Sequence, residues 1–515
     1  MAKKENAFVY LVPEDPYFTA IISQCITELS YRRPEYKHII LPIYGIKFNL
    51  SSFTHVRFIK YTLYYYFKQA TLLSRIKKLI KSNLDSNANK KTYYFSFFDW
   101  LTLKDWIPAI THDFVDEMDF INHYELDGIK IGDLVCDTYL RFSPSPVFNC
   151  SDPFVLSLLH KAKRYTKMMS SVLKRYNVAC VVGSYVTYIY HGIPHRVANS
   201  KGIVSIAFGC LQQFARVNVP HQLASQTAPY ETYCFNGLHG YDNNLINLAK
   251  NTLENRISSS YDQTVPYMKR LRDLKEEKNQ SLLGSIVIFL HDFFDSPHVY
   301  KWILFPDFYT WIVDTINFCI AHNIIIFIKP HPNQSNDSKR VVSALREKFQ
   351  FNKCINWLDA QLSNSSIYIA KPLLVVTVYG SIAPEATYAG IRVLLAGDHP
   401  GINFPIGHVA RSKADYFAAF LNPLSIATGD PEAAIAFIIQ HNINIYQKEG
   451  QSLISYLGCS FNCLDANPEI IKTAASKKFI KHEVCKLLND MEISGLLAPP
   501  GKIILENMFR IECSS

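Results

Sequence analysis

Three short stretches in the second half of the chain place polar, potentially reactive residues directly after apolar runs. They are LHDFFDSPH (290–298), KPHPN (329–333) and VYGSIAPE (378–385). Each follows aliphatic and β-branched residues of the kind that form a buried parallel strand. Because the carboxyl ends of parallel strands share one edge of a sheet, where ligands bind, we expect these stretches to lie together.

The second stretch holds His331 between Pro330 and Pro332, just after the run IIIFI (324–328). The two prolines restrict the backbone, so the imidazole has a nearly fixed direction. Such a histidine could donate a hydrogen bond to a phosphate or to a leaving-group oxygen, and Lys329 could add positive charge. The alternative is a structural histidine in a rigid turn, which is the commoner role of a lone histidine.

The third stretch begins a predicted helix with Gly380 and Ser381. A glycine and a small hydroxyl residue at a helix N-terminus offer unpaired backbone N–H groups and the positive end of the helix dipole, which suits a phosphate. Glu385, one turn later, could accept hydrogen bonds from a ribose or sugar hydroxyl. Alternatively, Ser381 simply caps the helix and Glu385 improves the cap or the dipole.

The first stretch contains two carboxylates, Asp292 and Asp295, and two histidines, His291 and His298. Asp292 directly follows the strand and could act as a general base or as a nucleophile on an anomeric carbon. A metal site built from all four residues is the weaker interpretation, because such spacing without a defined scaffold occurs in many loops. We therefore expect no bound metal.

Together with FPDFYTWI (305–312), these stretches resemble bacterial surface-polysaccharide glycosyltransferases of the GT-B type. The His-Pro pair followed by a small-residue phosphate loop is similar to that of the CMP-sugar users among them. These are the Kdo, sialic acid and nonulosonic acid transferases of capsule and lipopolysaccharide synthesis. The resemblance is most specific over 285–400. The segment DGIKIGDLVCDTYLRF (127–142) is similar to part of the N-terminal half of such capsule proteins.

The resemblance implies an α/β, GT-B-like fold, in which two Rossmann-like, doubly wound domains face a central cleft. It also implies that His331 and Pro332 contact the cytidine monophosphate of the donor and that Gly380 and Ser381 hold its phosphate. Asp292 would be the carboxylate closest to the anomeric centre. The full prediction assigns catalysis to Asp292, His331 and Asp295, and donor binding to Lys329, His331, Pro332, Asn333, Gly380, Ser381 and Glu385. We expect no cofactor beyond this CMP-linked donor substrate.

Length and composition agree with a folded protein of more than one domain. The chain has 515 residues, of which 48% are hydrophobic and 19% charged, and this length exceeds a single ordinary core. We predict an acceptor domain over 1–270 with a linker from about 250, a donor domain over 271–445, and a helical extension over 446–515 that packs back on the other domains.

Alternating β-branched runs and helical patterns predict the elements of both domains. Strands are predicted at 7–12, 37–43, 177–182, 203–208, 285–290, 324–328, 373–378 and 391–397. Helices are predicted at 18–33, 187–200, 306–321, 338–349 and 383–389, with Pro306 near the first turn of its helix.

The segment between His55 and Leu84 is basic and aromatic, within a chain of net charge +9. It fits an interfacial helix on anionic lipid or on a phosphorylated acceptor, and equally a core helix with a solvated basic face. We expect no nucleic-acid partner, because no recognised motif accompanies the patch. Twelve cysteines without a CxxC pair and the lack of a signal peptide favour a cytoplasmic chain, with peripheral contact at the inner face of the membrane left open.

The expected partners are a nucleotide-sugar donor and a glycan or lipid-linked acceptor. Three alternatives to a sugar transferase stay open at this stage. One is a CDP-alcohol phosphotransferase of teichoic-acid-like polymer synthesis, and another is a nucleotide-sugar epimerase. The third is a non-catalytic GT-B scaffold in a polysaccharide assembly complex.

Overall fold

The computed structural model describes residues 4–43, 74–78, 80–81, 84, 92–94, 114–209, 215–225, 227, 230, 233–258, 282–443 and 474–497. These residues form two compact units. The first unit takes the described parts of Met1–Ser143, Asn149–Ala228 and Ala466–Ser515, and the second those of Pro144–Phe148 and Pro229–Asp465. Most of the basic aromatic segment lies outside the described residues, so its predicted lipid or acceptor contact stays a prediction.

The first unit is built on a six-stranded sheet in the order β3-β2-β1-β6-β7-β8. All neighbours are parallel except the antiparallel pair β7 and β8. The strands of this unit are β1 (Asn6–Val12), β2 (Lys37–Pro42), β3 (Thr92–Tyr94), β4 (Glu125–Leu126), β5 (Ile129–Lys130), β6 (Asn177–Gly183), β7 (Val204–Phe208) and β8 (Ala215–Asn218). Its helices are α1 (Pro16–Arg32), α2 (Glu117–His123), α3 (Gly132–Phe142), α4 (Pro153–Arg175) and α5 (Ile189–Ser200), followed at the C-terminus by Ala474–Ile493.

The second unit contains a six-stranded, fully parallel sheet in the order β11-β10-β9-β12-β13-β14. Its strands are β9 (Ile286–Phe289), β10 (Ile326–Lys329), β11 (Ile355–Trp357), β12 (Leu374–Thr377), β13 (Arg392–Leu395) and β14 (His408–Val409). Its helices are α6 (Asn243–Ile257), α7 (Phe308–Ala321), α8 (Asn336–Phe349), α9 (Asn364–Ile369), α10 (Ile382–Tyr388), α11 (Lys413–Leu421) and α12 (Pro431–Ile438). The C-terminal helix Ala474–Ile493 is α13.

The central strands are buried on both faces, as expected for a sheet covered by helices. Strands β9, β10 and β12 are buried along their whole length, and β1 is buried from its second residue. Two apolar clusters cover the faces of the second sheet, one around Trp311 of α7 and one around Phe437 of α12. The predicted strands and helices are confirmed, as is the α/β class with two Rossmann-like doubly wound sheets.

Helix α7 begins at Phe308, two residues after the predicted start at 306. Asp307, rather than Pro306, precedes the first turn, and its Oδ1 accepts a hydrogen bond from the Thr310 N–H at 2.6 Å. The same buried carboxylate accepts from the Phe148 N–H at 2.9 Å through Oδ2. Asp307 therefore joins the short segment 144–148 to the second unit.

The predicted boundary at residue 270 differs from the observed grouping. Helix α6 belongs to the second unit, because Ala249 and Leu253 are fully buried in the same apolar cluster as Phe437. Helix α13 packs back on the first unit, where Arg32 forms an ion pair with Glu492 at 2.8 Å. Among the described residues, no helix is long and apolar enough to cross a membrane.

Candidate functional site at the carboxyl edge of the second sheet

The three polar stretches leave the second sheet side by side. Strand β9 lies between β10 and β12, with Phe289 in register with Lys329 and Ile288 in register with Val376. The strands therefore end at the same level, and the residues after them share one edge of the sheet. The predicted convergence of the three stretches is confirmed.

His291 joins the ends of β9 and β12. Its Nε2 lies 3.0 Å from the Thr377 hydroxyl, and its ring stacks on Phe308 with centroids 4.6 Å apart. Burial, and to a lesser extent the neighbouring His331, lower the pKa of His291 to about 3. The imidazole is therefore neutral at physiological pH, and its contacts make it a packing residue beneath the edge.

Asp292 is held by four hydrogen-bond donors. Its Oδ2 accepts from the Ser335 N–H at 2.5 Å, and its Oδ1 accepts from the hydroxyls of Ser338 and Ser335 at 2.7 and 3.2 Å and from the Phe294 N–H at 3.0 Å. Burial acts to raise the pKa of Asp292, but the hydrogen bonds outweigh it and hold the pKa below the ordinary carboxyl value. Both oxygens are engaged, so this geometry favours a positioning role over the predicted role as base or nucleophile.

Asp295, the second predicted catalytic carboxylate, is exposed on the same loop. Its Oδ1 accepts from the Ser296 N–H at 3.0 Å, and its own N–H donates to the Asp292 carbonyl at 3.2 Å. These bonds close a local turn. A catalytic role for Asp295 stays a prediction.

His331 presents an N–H donor at the edge. Its Nδ1 accepts from the Asn333 N–H at 3.2 Å, which assigns the proton of the neutral ring to Nε2. Burial lowers the pKa of His331, the Asp292 carboxylate opposes that effect, and Lys329 lowers the pKa further. The ring is therefore a neutral hydrogen-bond donor at neutral pH, and the backbone after it fixes its tautomer.

Lys329 is a buried cation at the end of β10, with 3% of its surface exposed. Burial lowers the pKa of Lys329 to about 8, against the attraction of the Glu385 and Asp359 carboxylates. Its Nζ lies 5.6 Å from the centroid of the Phe289 ring. A largely buried ammonium group at a sheet edge favours an anionic ligand, because a close negative charge offsets the cost of its desolvation.

Glu385 is buried one turn into α10, where it faces α9. Its Oε2 accepts from Asn364 Nδ2 at 3.1 Å and from the Tyr368 hydroxyl at 3.5 Å. Burial and then Glu385 itself raise the pKa of Tyr368, so that the phenol stays a donor. Neither Asn364 nor Tyr368 was predicted from the sequence as a partner of Glu385. Their only signal was the spacing of four residues, which places them on one face of a helix.

Gly380 and Ser381 form the turn between β12 and α10. A Cβ on Gly380 would lie 2.8 Å from the Thr377 hydroxyl, so a larger residue would have to displace the turn or the pair formed by Thr377 and His291. Ser381 precedes the first residue of α10, but its hydroxyl makes no capping hydrogen bond. Ser381 therefore occupies the N-cap position without a side-chain capping bond, and its phosphate-binding role stays a prediction.

No protein-family model and no curated protein matches this sequence. Solved structures match with low similarity. KpsC from Thermosulfurimonas dismutans, a beta Kdo 2,4 transferase, is 10% identical over 51% of this chain and 79% of its own, with a TM-score of 0.31. A glycosyltransferase from Rickettsia africae is 10% identical over 92% of this chain and 100% of its own, with a TM-score of 0.24.

A third match is UDP-GlcNAc 2-epimerase from Neisseria meningitidis bound to UDP-GlcNAc. It is 9% identical over 86% of this chain and 100% of its own, with a TM-score of 0.24. At these TM-scores and identities, we base no assignment of activity on the matches. The functional assignment depends on the residues at the carboxyl edge.

Proposed function

We propose that the chain is a glycosyltransferase that moves a sugar from a CMP-activated donor to a growing surface polysaccharide or glycolipid. The donor sugar is Kdo or a sialic-like acid, as the resemblance of the His-Pro stretch implies. The observation that supports this most is the buried Lys329 side chain, with its lowered pKa, beside the His331 Nε2–H donor at a parallel-sheet edge. A nucleotide phosphate is the ligand that both groups would bind.

In the proposed reaction, the acceptor hydroxyl forms a bond to the anomeric carbon while the bond from that carbon to the phosphate oxygen breaks. Negative charge then grows on the departing CMP phosphate. His331 donates a hydrogen bond to it and Lys329 supplies a positive charge, two groups that are already in position before the reaction. The acceptor proton leaves to a base, and the hydrogen bonds to Asp292 make that residue a poor candidate.

Glu385 has a different proposed role from the one predicted from the sequence. Its carboxylate is buried with Asn364 and Tyr368 and attracts the Lys329 ammonium. We infer that Glu385 acts on the donor through Lys329, because its charge favours the protonated lysine. Direct contact with the ribose is then unnecessary.

Thermal unfolding in the presence of CMP, CDP, UDP or GDP tests the donor. Ligand occupancy stabilises the folded state, so CMP should raise the Tm of the full chain most. His331→Ala should remove this CMP-dependent rise and leave the Tm of the free protein within a few degrees. His239→Ala, at an exposed position in the same unit, is the matched control. A rise confined to UDP would contradict the CMP assignment.

A non-catalytic scaffold is the second candidate, and the saturated hydrogen bonds of Asp292 favour it. Release of free CMP from CMP-Kdo or CMP-sialic acid separates the two. A transferase should release CMP in the presence of acceptor, and His331→Ala should slow that release about a hundredfold, the usual effect of losing one preorganised donor. Nucleotide binding without any release, across several donors, would support the scaffold. Transfer of an alcohol phosphate from a CDP-alcohol would instead support the phosphotransferase.

A further inference from the structure

The second unit exposes large hydrophobic side chains at one edge. Six such side chains among its described residues are between 57% and 91% exposed. They are Leu283, Ile325, Phe351, Ile369, Leu421 and Leu424. All six lie at the amino edge of the second sheet, opposite the candidate site, and we call this set the amino-edge surface.

The sheet register places the first four of these residues in a row. The first residues of β11, β10, β9 and β12 are in register, namely Ile355, Ile326, Ile286 and Leu374. The loops before them are joined by backbone hydrogen bonds. The Ile326 N–H donates to the Cys354 carbonyl at 2.8 Å, and the Gly284 N–H donates to the Lys371 carbonyl at 3.2 Å. With strands about 4.8 Å apart, the row is about 15 Å long.

Leu421 and Leu424 extend the row by one strand. Arg392, the first residue of β13, is in register with Leu374, and its Nε donates to the Ile426 carbonyl at 2.9 Å. The segment from Leu421 to Ile426 is therefore held at the same edge. Exposed large apolar side chains gathered along one edge mark a candidate interaction site.

The charges on the amino-edge surface are mostly positive. Lys353 and Lys371 lie in its loops and Lys348 in the last turn of α8, and all three are exposed. The loops 282–285, 322–325, 350–354, 370–373, 389–391 and 422–426 contain no acidic residue. Acidic groups near these loops are Glu347, also in the last turn of α8, and Glu254, which accepts a hydrogen bond from the Tyr388 hydroxyl at 3.2 Å.

We propose that the amino-edge surface docks on an anionic lipid bilayer. Protruding side chains such as Phe351 would insert among the headgroups, and the lysines beside them would meet anionic lipid phosphates. A protein partner fits less well, because lysine is depleted in protein–protein interfaces whereas this surface carries three. The surface shares no residue with the basic segment 55–84, and the proposal does not depend on the proposed sugar transfer.

Sedimentation of the full chain with vesicles tests the proposal. Vesicles of phosphatidylcholine with phosphatidylglycerol should pellet the protein, and vesicles of phosphatidylcholine alone should pellet it less. Phe351→Ser with Ile369→Ser should lower the partition coefficient by at least about tenfold, since burial of one such side chain already corresponds to that factor. Lys353→Glu with Lys371→Glu should lower binding only to the anionic vesicles.

Two controls change exposed apolar and basic residues outside the amino-edge surface. Val115→Ser with Ile493→Ser changes exposed apolar residues of the first unit, and Lys339→Glu changes an exposed lysine near the start of α8. Both should bind vesicles as the wild type does. Equal loss in the controls, or no pelleting of the wild type, would overturn the proposal.

Two further outcomes would also overturn it. If Lys77→Glu with Lys78→Glu abolished pelleting while the Phe351 and Ile369 variant kept full binding, the basic segment would be the membrane site. If light scattering showed a wild-type dimer that Phe351→Ser converted to monomer without any change in vesicle binding, the amino-edge surface would belong to a second copy of the chain.

Discussion

At the scale of single residues, the candidate site depends on two residues with opposite properties, separated in sequence only by Pro330. His331 is a neutral donor whose tautomer is fixed by the Asn333 N–H, and Lys329 is a buried cation whose pKa lies near 8. The ordinary pKa of a lysine is 10.5, so burial has brought this group into a range where small changes in pH alter its charge.

Affinity for CMP should therefore fall as pH rises through about 8. The protonated Lys329 attracts the phosphate, and this attraction is lost when the ammonium releases its proton. His331, whose pKa is lowered, stays neutral above pH 7, and the second phosphate ionisation is complete because its pKa is about 6. Calorimetric titration between about pH 7 and 9.5 measures the effect. Lys329→Met should bind more weakly with a flat profile, and a flat wild-type profile would refute the assignment.

Without bound CMP, the titration of Lys329 affects the stability of the fold, and this effect changes with pH in the opposite direction to the CMP affinity. The pKa of Lys329 is lower in the folded chain than in the unfolded chain, so the unfolded chain binds more protons between about pH 8 and 10.5. The contribution of Lys329 to the free energy of unfolding therefore rises with pH across this window. Bound phosphate should reduce that rise, because it favours the protonated lysine.

Asp292→Asn tests the positioning role of this carboxylate. The change should lower the free energy of unfolding by about 1–3 kcal/mol, because it weakens acceptors for the Ser335 and Ser338 donors. Folding lowers the pKa of Asp292. The carboxylate therefore contributes to the free energy of unfolding above the pKa that Asp292 has in the unfolded chain, and this contribution is lost as pH falls through the pKa of the folded chain. Urea unfolding measures the change, with Asp295→Asn as the exposed control.

Turnover separates positioning from catalysis at Asp292. If Asp292 only positions its loop and α8, CMP release by Asp292→Asn below its unfolding temperature should stay within about tenfold of wild type. A loss as large as that of His331→Ala, with folding intact, would show that Asp292 takes part in the reaction.

At the scale of elements, the turn between β12 and α10 sets how closely the strand ends pack. Gly380 lies against the Thr377 hydroxyl, which also contacts Nε2 of His291. One glycine therefore lets the turn after β12 approach the end of β9. Gly380 is therefore part of the predicted phosphate turn and also permits this close packing.

Gly380→Ala should disturb both stability and nucleotide binding. The added Cβ would lie 2.8 Å from the Thr377 Oγ1, and such overpacking costs about 1–3 kcal/mol of unfolding free energy. Thermal unfolding with and without CMP measures both effects. Gly240→Ala, where a Cβ meets no atom within 4 Å, should change neither. Combining Gly380→Ala with Thr377→Ala should recover part of the loss, and additive losses would disprove the proposed clash.

At the scale of the whole molecule, the second sheet has two edges with different character. Its carboxyl edge carries His331, Lys329 and the turn at Gly380, and its amino edge carries the exposed apolar and basic amino-edge surface. The strands between them are four residues long in β9, β10 and β12, which is about 13 Å. If the amino edge docks on lipid, the candidate site of this unit faces away from the bilayer.

The sequence by itself determined the α/β class, eight of the strands and five of the helices, and the meeting of three polar stretches at one sheet edge. These features follow from local periodicity and from the rule that parallel strands share their carboxyl edge, so they need no knowledge of distant contacts.

The tertiary structure decided what each group at that edge can do. Asp292 is engaged by Ser335 and Ser338, which lie more than forty residues away in sequence, and Glu385 is buried with Asn364 and Tyr368. Burial and hydrogen bonding depend on neighbours in space. Burial lowers the pKa of Lys329 and so sets its charge, and hydrogen bonds engage both carboxylate oxygens of Asp292.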